Sequence, residues 1–485
     1  MVPTNIAVVR SRDPKVREAV RYTLDSLGLF WEEVHEPDPI KHMVSIFPEE
    51  AELVPVVTPS IFIGNTALAY FSGDKTENKK SPPMPAGFLE MNKEKSPFFG
   101  MKYTFDCERL SRTNPVFRKD SNILIGYDLF RTVAYFLRGA ELSLGIKGVK
   151  TPDSKINLNA ISEIRGVQAN IPVADVHARL LLSSILLLHK TEGLPLVLKR
   201  ISPPSRRGAL AISVPILKVR KQQRSILNKL KNLFKKREIW IERLGKIDQS
   251  ITFFAGKGED YSPSEVSDVL ISFEESGHEV GLLASSKASI NHDVMLDEYR
   301  ELAEVLKRGD LGIRFRSIES TVMDAWDSAS FVRARYTVVG DLLRGFGYVL
   351  GTSKPFKIGS SLWNLPVIGR VRRESPIPEV LNEIVTRGSF VVIDALTESG
   401  AIKLILEAIS RDVWVTTPSK MIERLEEVRA IKGSFRYDRK YLEGKLVSPS
   451  PVKEVQVVVI NPEGKESFIE MSLEASKPKE INLRV

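Results

Sequence analysis

Cysteine is almost missing from this chain: Cys107 is the only one in 485 residues. A lone thiol excludes an intramolecular disulfide and a cysteine-rich zinc site, and it points to a reducing, cytoplasmic setting. Histidine is scarce as well. The six are His35, His42, His177, His189, His278 and His292, and no two have the three- or four-residue spacing of a helical metal pair. Long apolar runs are lacking too. The N-terminus meets Arg10 before any unbroken apolar core forms, which argues against a signal peptide. The most apolar stretch, residues 180–188, carries Ser183 and Ser184 and is about half as long as a membrane span, so a buried helix is expected there. No repeat of fixed period and no low-complexity tract is present.

What remains is ordinary globular material. Hydrophobic residues make up 42% and charged residues 27%, with 30 Gly and 28 Pro, so the chain should fold into a large core. At roughly 150 residues per domain, about three domains are expected. Lys plus Arg number 70 against 61 Asp plus Glu, a net charge of +9, which favours acidic partners over basic ones.

Along the chain, residues 4–72 read as alternating strand and helix, and 73–98 as an exposed, Lys-, Asn- and Pro-rich loop. Two amphipathic helices, YDLFRTVAYFLRGAEL and VADVHARLLLSSILLLHK, complete an N-terminal α/β domain over 1–200. ISPPSRRG, residues 201–208, has the composition of a linker. From 209 to 440 short apolar runs (ALAISVPI, SITFFAG, HEVGLLAS, LGIRFRS, SFVVIDA, DVWVTT) alternate with helical patterns, the order of a parallel sheet closed into a (β/α) barrel. Residues 445–485 read as a small C-terminal β segment with a turn at Gly464.

SITFFAG, GHEVGLLAS and LDEYRELAEVLKRGDLGIRFRS, in that order, resemble the polysaccharide deacetylase family, the NodB-homology carbohydrate esterases. GYVLGTSKPF (347–356), LPVIG (365–369) and VWVTTPSKMIERLEEVR (413–429) look like later segments of a subgroup with an extra N-terminal domain. The resemblance implies a distorted (β/α) barrel and, in active members, a zinc ion held by an Asp and two His beside an Asp general base. Such a metal polarises an acetamide carbonyl and lowers the pKa of its water. In this sequence the two Asp positions fall near Pro215 and Leu217, and the two His positions at Leu283 and Lys287. His278 is five residues early and is expected to be structural. Arg314 matches the family's orienting Arg, with Arg316 on the same face. Asp394 and Glu398 stand where a late His is expected.

The family zinc site is therefore expected to be lost. The primary expectation is a catalytically degenerate, metal-free deacetylase-like protein acting in carbohydrate binding, scaffolding or regulation, with Arg314 and Arg316 as binding residues for a glycan or other small acidic ligand. One alternative is an active hydrolase of carbon–nitrogen bonds in acetylated carbohydrate, with Arg314, Asp394 and Glu398 as catalytic candidates. Another rests on KVRKQQRSILNKLKNLFKKR, residues 218–237, which has nine basic residues and no acid. That pattern predicts a basic amphipathic helix whose apolar stripe docks on the barrel, leaving Lys229, Lys235 and Lys236 to meet nucleic acid or an anionic membrane.

Overall fold

The computed structural model describes residues 2–49, 56, 58–64, 85–99, 107–140, 157–216, 249–257, 261–319, 321–339, 347–371, 377–395 and 397–485. The expected basic helix, with Lys229, Lys235 and Lys236, lies outside them, as does Leu217. Among the described residues no helix is long and apolar enough to cross a membrane. The stretch around residues 180–188 belongs to the helix Val173–Thr191, with Leu180, Leu181, Ile185 and Leu188 buried.

Two compact units result, each taken by itself. The first gathers residues 1–144, 162–204 and 424–485. Its main sheet runs Trp31–Val34, Asn5–Val9, His42–Phe47, Ser60–Ile63, Asn122–Ile125, all parallel, then Val116–Lys119 and Glu108–Arg109 antiparallel. Continuous burial of His42–Phe47 and Ser60–Ile63 is the mark of parallel strands covered on both faces. The helix Pro14–Ser26 starts on Asp13, whose carboxylate accepts from Lys15 N at 2.8 Å, with Pro14 at the first helical position. Phe47, Phe62, Phe117 and Leu124 form one core cluster of this unit.

The C-terminal segment joins the same unit through strand pairing. Val452–Ile460 pairs antiparallel with Leu196–Arg200, and Lys432–Tyr437 pairs with the N-terminal Val2–Pro3. Apolar residues on one face of each strand account for this: Val455, Val457 and Val459 are buried, and a two-stranded hairpin alone could not shield them.

The second unit, residues 145–161 and 205–423, holds a closed barrel of seven parallel strands. In order around the wall these are Gly208–Pro215, Thr252–Ala255, Glu279–Ala284, Gly312–Phe315, Tyr336–Val339, Leu362–Val371 and Phe390–Ala395, and the last pairs with the first. An eighth strand, Val413–Thr416, pairs with residues 208–211 of the first strand, while residues 213–215 of that strand pair with Thr252–Phe254. Helices lie between the strands in sequence. His292–Leu306 is capped by Asn291 and closes at Lys307 in the left-handed region (φ 55°); Val322–Phe331 begins with a Thr321/Asp324 capping box.

Candidate functional site: the barrel mouth

In parallel barrels the loops at the carboxyl ends of the strands carry the site, and the side chains of alternate strand positions fill the interior. Arg314, on the fourth strand, donates from Nη2 to Asp394 Oδ2 on the seventh at 2.7 Å. These strands are not neighbours, so a direct bond between them requires both side chains to point into the barrel. The pairing register then places others on the same inner face. Leu283 and Val338 are the strand partners of Arg314, and Ser213 that of Asp394, with Thr252 next to Ser213.

A second guanidinium closes on the same oxygen: Arg370 Nε lies 3.3 Å from Asp394 Oδ2. One carboxylate thus sits between two cations. Arg314 and Asp394 are almost wholly buried, at 3% and 1% side-chain exposure, while Arg370 reaches solvent at 22%. Below it, Asp394 Oδ1, Ser213 Oγ and Thr252 Oγ1 are buried and have no hydrogen-bond partner among the described residues. Buried oxygens of this kind are normally satisfied by water or a ligand.

Arg316 lies two residues past Arg314, at the rim, where its guanidinium donates to Lys257 O at 2.8 Å. Lys287 starts a short 3-10 turn after the third strand and is exposed, whereas Leu283 fills the interior. Pro215 ends the first strand, paired with Phe254. Glu398 opens the helix Glu398–Ile409, and its side chain lies outside the description. Of the expected site residues, Arg314 and Asp394 come into contact. Among the described residues no group of three or more His, Cys, Asp or Glu could hold a metal ion.

His278 sits at the opposite end of its strand. Its Nδ1 accepts from Ile251 N at 3.3 Å, its ring meets Phe253 edge to face, and burial lowers its pKa to about 4. A neutral imidazole filling the wall has a packing role. The amino end is closed by Glu279, which accepts from Tyr336 Oη at 2.8 Å and from Ser419 Oγ at 2.6 Å. Burial first, and then the Glu279 charge, hold the Tyr336 phenol well above its usual range. Polar networks at that end serve stability.

Sequence reading missed Arg370, Ser213 and Thr252. The signal was available only in part: Arg370 follows the apolar LPVIG at a position where a register shift between Val367 and Gly369 turns it inward, and a bulge is not visible in alternation alone.

No family model matches the chain, and no curated protein matches it. Among solved structures, it is similar to a protein assigned as a polysaccharide deacetylase from Mycobacterium smegmatis, at 17% identity and a TM-score of 0.34, over 47% of this chain and 92% of that one. It is similar to a CE4 family pseudoenzyme from Bacillus anthracis at 13% identity and a TM-score of 0.29, over 46% and 67% of the two chains. A peptidoglycan deacetylase from Bacillus subtilis gives 10% identity and a TM-score of 0.27, over 47% and 95%. Over about half of its length, then, the chain is similar to polysaccharide deacetylase and CE4 family structures, pseudoenzymes among them.

Proposed function

We propose that the barrel is a metal-free, non-catalytic deacetylase-like domain that binds a small polar ligand at its mouth, a glycan or an organic acid, and acts in carbohydrate binding, scaffolding or regulation. The observation that carries this reading is the Arg314–Asp394–Arg370 triad. Hydrolysis of an amide needs a group to activate water and another to polarise the carbonyl. Here Oδ2 of the inward carboxylate already accepts from two guanidiniums, so that oxygen is engaged by the protein's own donors rather than turned towards a water. The position of one family metal ligand is taken by buried Leu283. Arg370, partly exposed above the pair, has donors of the geometry that matches a carboxylate.

Two measurements test the reading together. Elemental analysis of the purified chain is expected to give no stoichiometric zinc, and acetate release from N-acetylglucosamine oligomers is expected to equal that of a heat-killed control. A tightly held metal lost on mutating a barrel-mouth residue, or acetate release abolished by Arg314→Ala, would replace it with the hydrolase reading. Calorimetric titration with N-acetylglucosamine oligomers and with glucuronate is expected to show binding to one of them that Arg370→Ala weakens; no binding of either would remove the ligand assignment.

A further inference from the structure

The first unit contains a cavity of about 950 Å³ that the barrel reading leaves unused. Its size lies in the range of small-molecule sites, at the upper end. The walls come from the end of the helix Pro14–Ser26, the segment around Phe30 and Trp31, and the four-stranded sheet containing Lys432–Tyr437, Tyr441–Val447 and Lys479–Arg484. Phe30 and Phe435 meet edge to face, with centroids 5.0 Å apart. They can do so because the strand neighbours are glycines. A Cβ at Gly444 would stand 2.2 Å from the Phe435 ring, and one at Gly433 would stand 2.7 Å from that ring and 2.8 Å from Phe30. Two glycines on adjacent strands thus make room for the Phe435 ring against the sheet, with Phe30 meeting it edge-on, and the pair forms one wall.

Lys199 lines this cavity although it is 7% exposed. Its Nζ donates to Arg429 O at 3.0 Å and Ile431 O at 3.1 Å, and stands 5.2 Å from the centroid of Phe30. An ammonium has three donors, and these carbonyls use two. No carboxylate lies within ion-pair distance of it among the described residues. Three of the four acids of the wall are committed elsewhere, Asp25 to Arg429 and to the Trp31 indole, Glu32 to His42 and Glu480 to Lys445, and the fourth, Glu443, is exposed on the strand Tyr441–Val447. Burial lowers the Lys199 pKa to about 8, with the Asp25 charge opposing and the Arg429 charge adding to the effect. A buried cation with no carboxylate in ion-pair range is costly unless an anion meets it.

We propose that this cavity binds a small organic anion with a flat apolar body, its acidic group meeting Lys199 Nζ and its body lying against Phe30, Trp31 and Phe435. Exposed Lys432 on the rim adds to the attraction. The site is independent of the barrel mouth.

The test uses the full chain and two probes of like shape, 1-anilinonaphthalene-8-sulfonate and the uncharged N-phenyl-1-naphthylamine, titrated by fluorescence. The sulfonate is expected to saturate one site per chain and to bind at least about tenfold more tightly than the neutral probe, about 1.4 kcal/mol. Lys199→Met should remove most of that preference with the melting temperature held, Lys432→Glu should weaken sulfonate binding roughly two- to threefold, and Lys440→Met should leave it unchanged. Equal affinity for the two probes, no saturable sulfonate site, or unaltered sulfonate binding in folded Lys199→Met would overturn the proposal. Should Lys199→Met fail to fold, unaltered binding in Lys432→Glu would overturn it instead.

Discussion

The buried triad sets the energetics of the barrel interior one atom at a time. Removing one partner from a buried ion pair strands the others, which typically costs about 3–5 kcal/mol, whereas replacing the pair with apolar groups is often close to neutral. Asp394→Asn is therefore expected to lower stability to denaturant by about 3 kcal/mol, and Arg314→Met combined with Asp394→Leu to recover most of that loss. A double variant no better than Asp394→Asn would show that the triad is not a self-contained pair. Histidines give a second effect at this scale. Burial lowers His177 to about 3 and His189 and His278 to about 4. Each is neutral in the folded chain and protonated more readily once unfolded. Stability is thus present above pH 6.5 and lost as pH falls from there towards 4. Asp128, raised to about 6 by burial against the opposing pull of Arg131, works in the other direction between 4 and 6, but three groups outweigh one. His177→Phe is expected to flatten the acid limb of a stability–pH curve while lowering stability at neutral pH, since Tyr127 Oη and Ser96 Oγ each lose a partner. An unchanged acid limb would refute this account.

At the scale of elements, the strands that read clearly were those with long apolar runs. ALAISVPI, HEVGLLAS and SFVVIDA became Gly208–Pro215, Glu279–Ala284 and Phe390–Ala395, because a strand buried on both faces needs no polar alternation to declare itself. Tyr336–Val339 escaped notice: its four residues follow directly on Arg333 and Arg335, and so short a run is indistinguishable from the end of a helix. The site divides in the same way. Arg314 could be read from the order of motifs around it, and Asp394 from its place at the end of a strand. Their mutual contact depends on which strands face each other across a closed wall, and the arrival of Arg370 on the bulged register of the neighbouring strand; local pattern carries neither. The cavity around Lys199 was illegible for a related reason, since its lining comes from residues as distant as Asn5 and Asn482.

At the scale of the whole molecule, the first unit is assembled from three separate stretches of chain. A truncation after residue 430 would remove the strand partners of Val2–Pro3 and of Leu196–Arg200. It is expected to unfold the first unit rather than trim it, measurable as protease sensitivity spreading to residues 5–47; wild-type resistance there would contradict the assembly. The second unit has a different consequence built into its wall. Its first strand shares one edge between two neighbours, the eighth strand towards the base and the second strand towards the mouth. The first strand is therefore paired on both edges along residues 209–211, while beyond Ser213 only the second strand holds it. Only Ser213, Val214 and Pro215 pair with the second strand, which makes this seam as short as the two that flank the fourth strand. Hydrogen exchange is expected to be faster for Val214 and Ile216 than for residues 209–211, which are paired on both sides, and equal protection would mean the ring is sealed. A ring that parts at this seam would separate Ser213 from Thr252 while the seventh and eighth strands still hold residues 208–213.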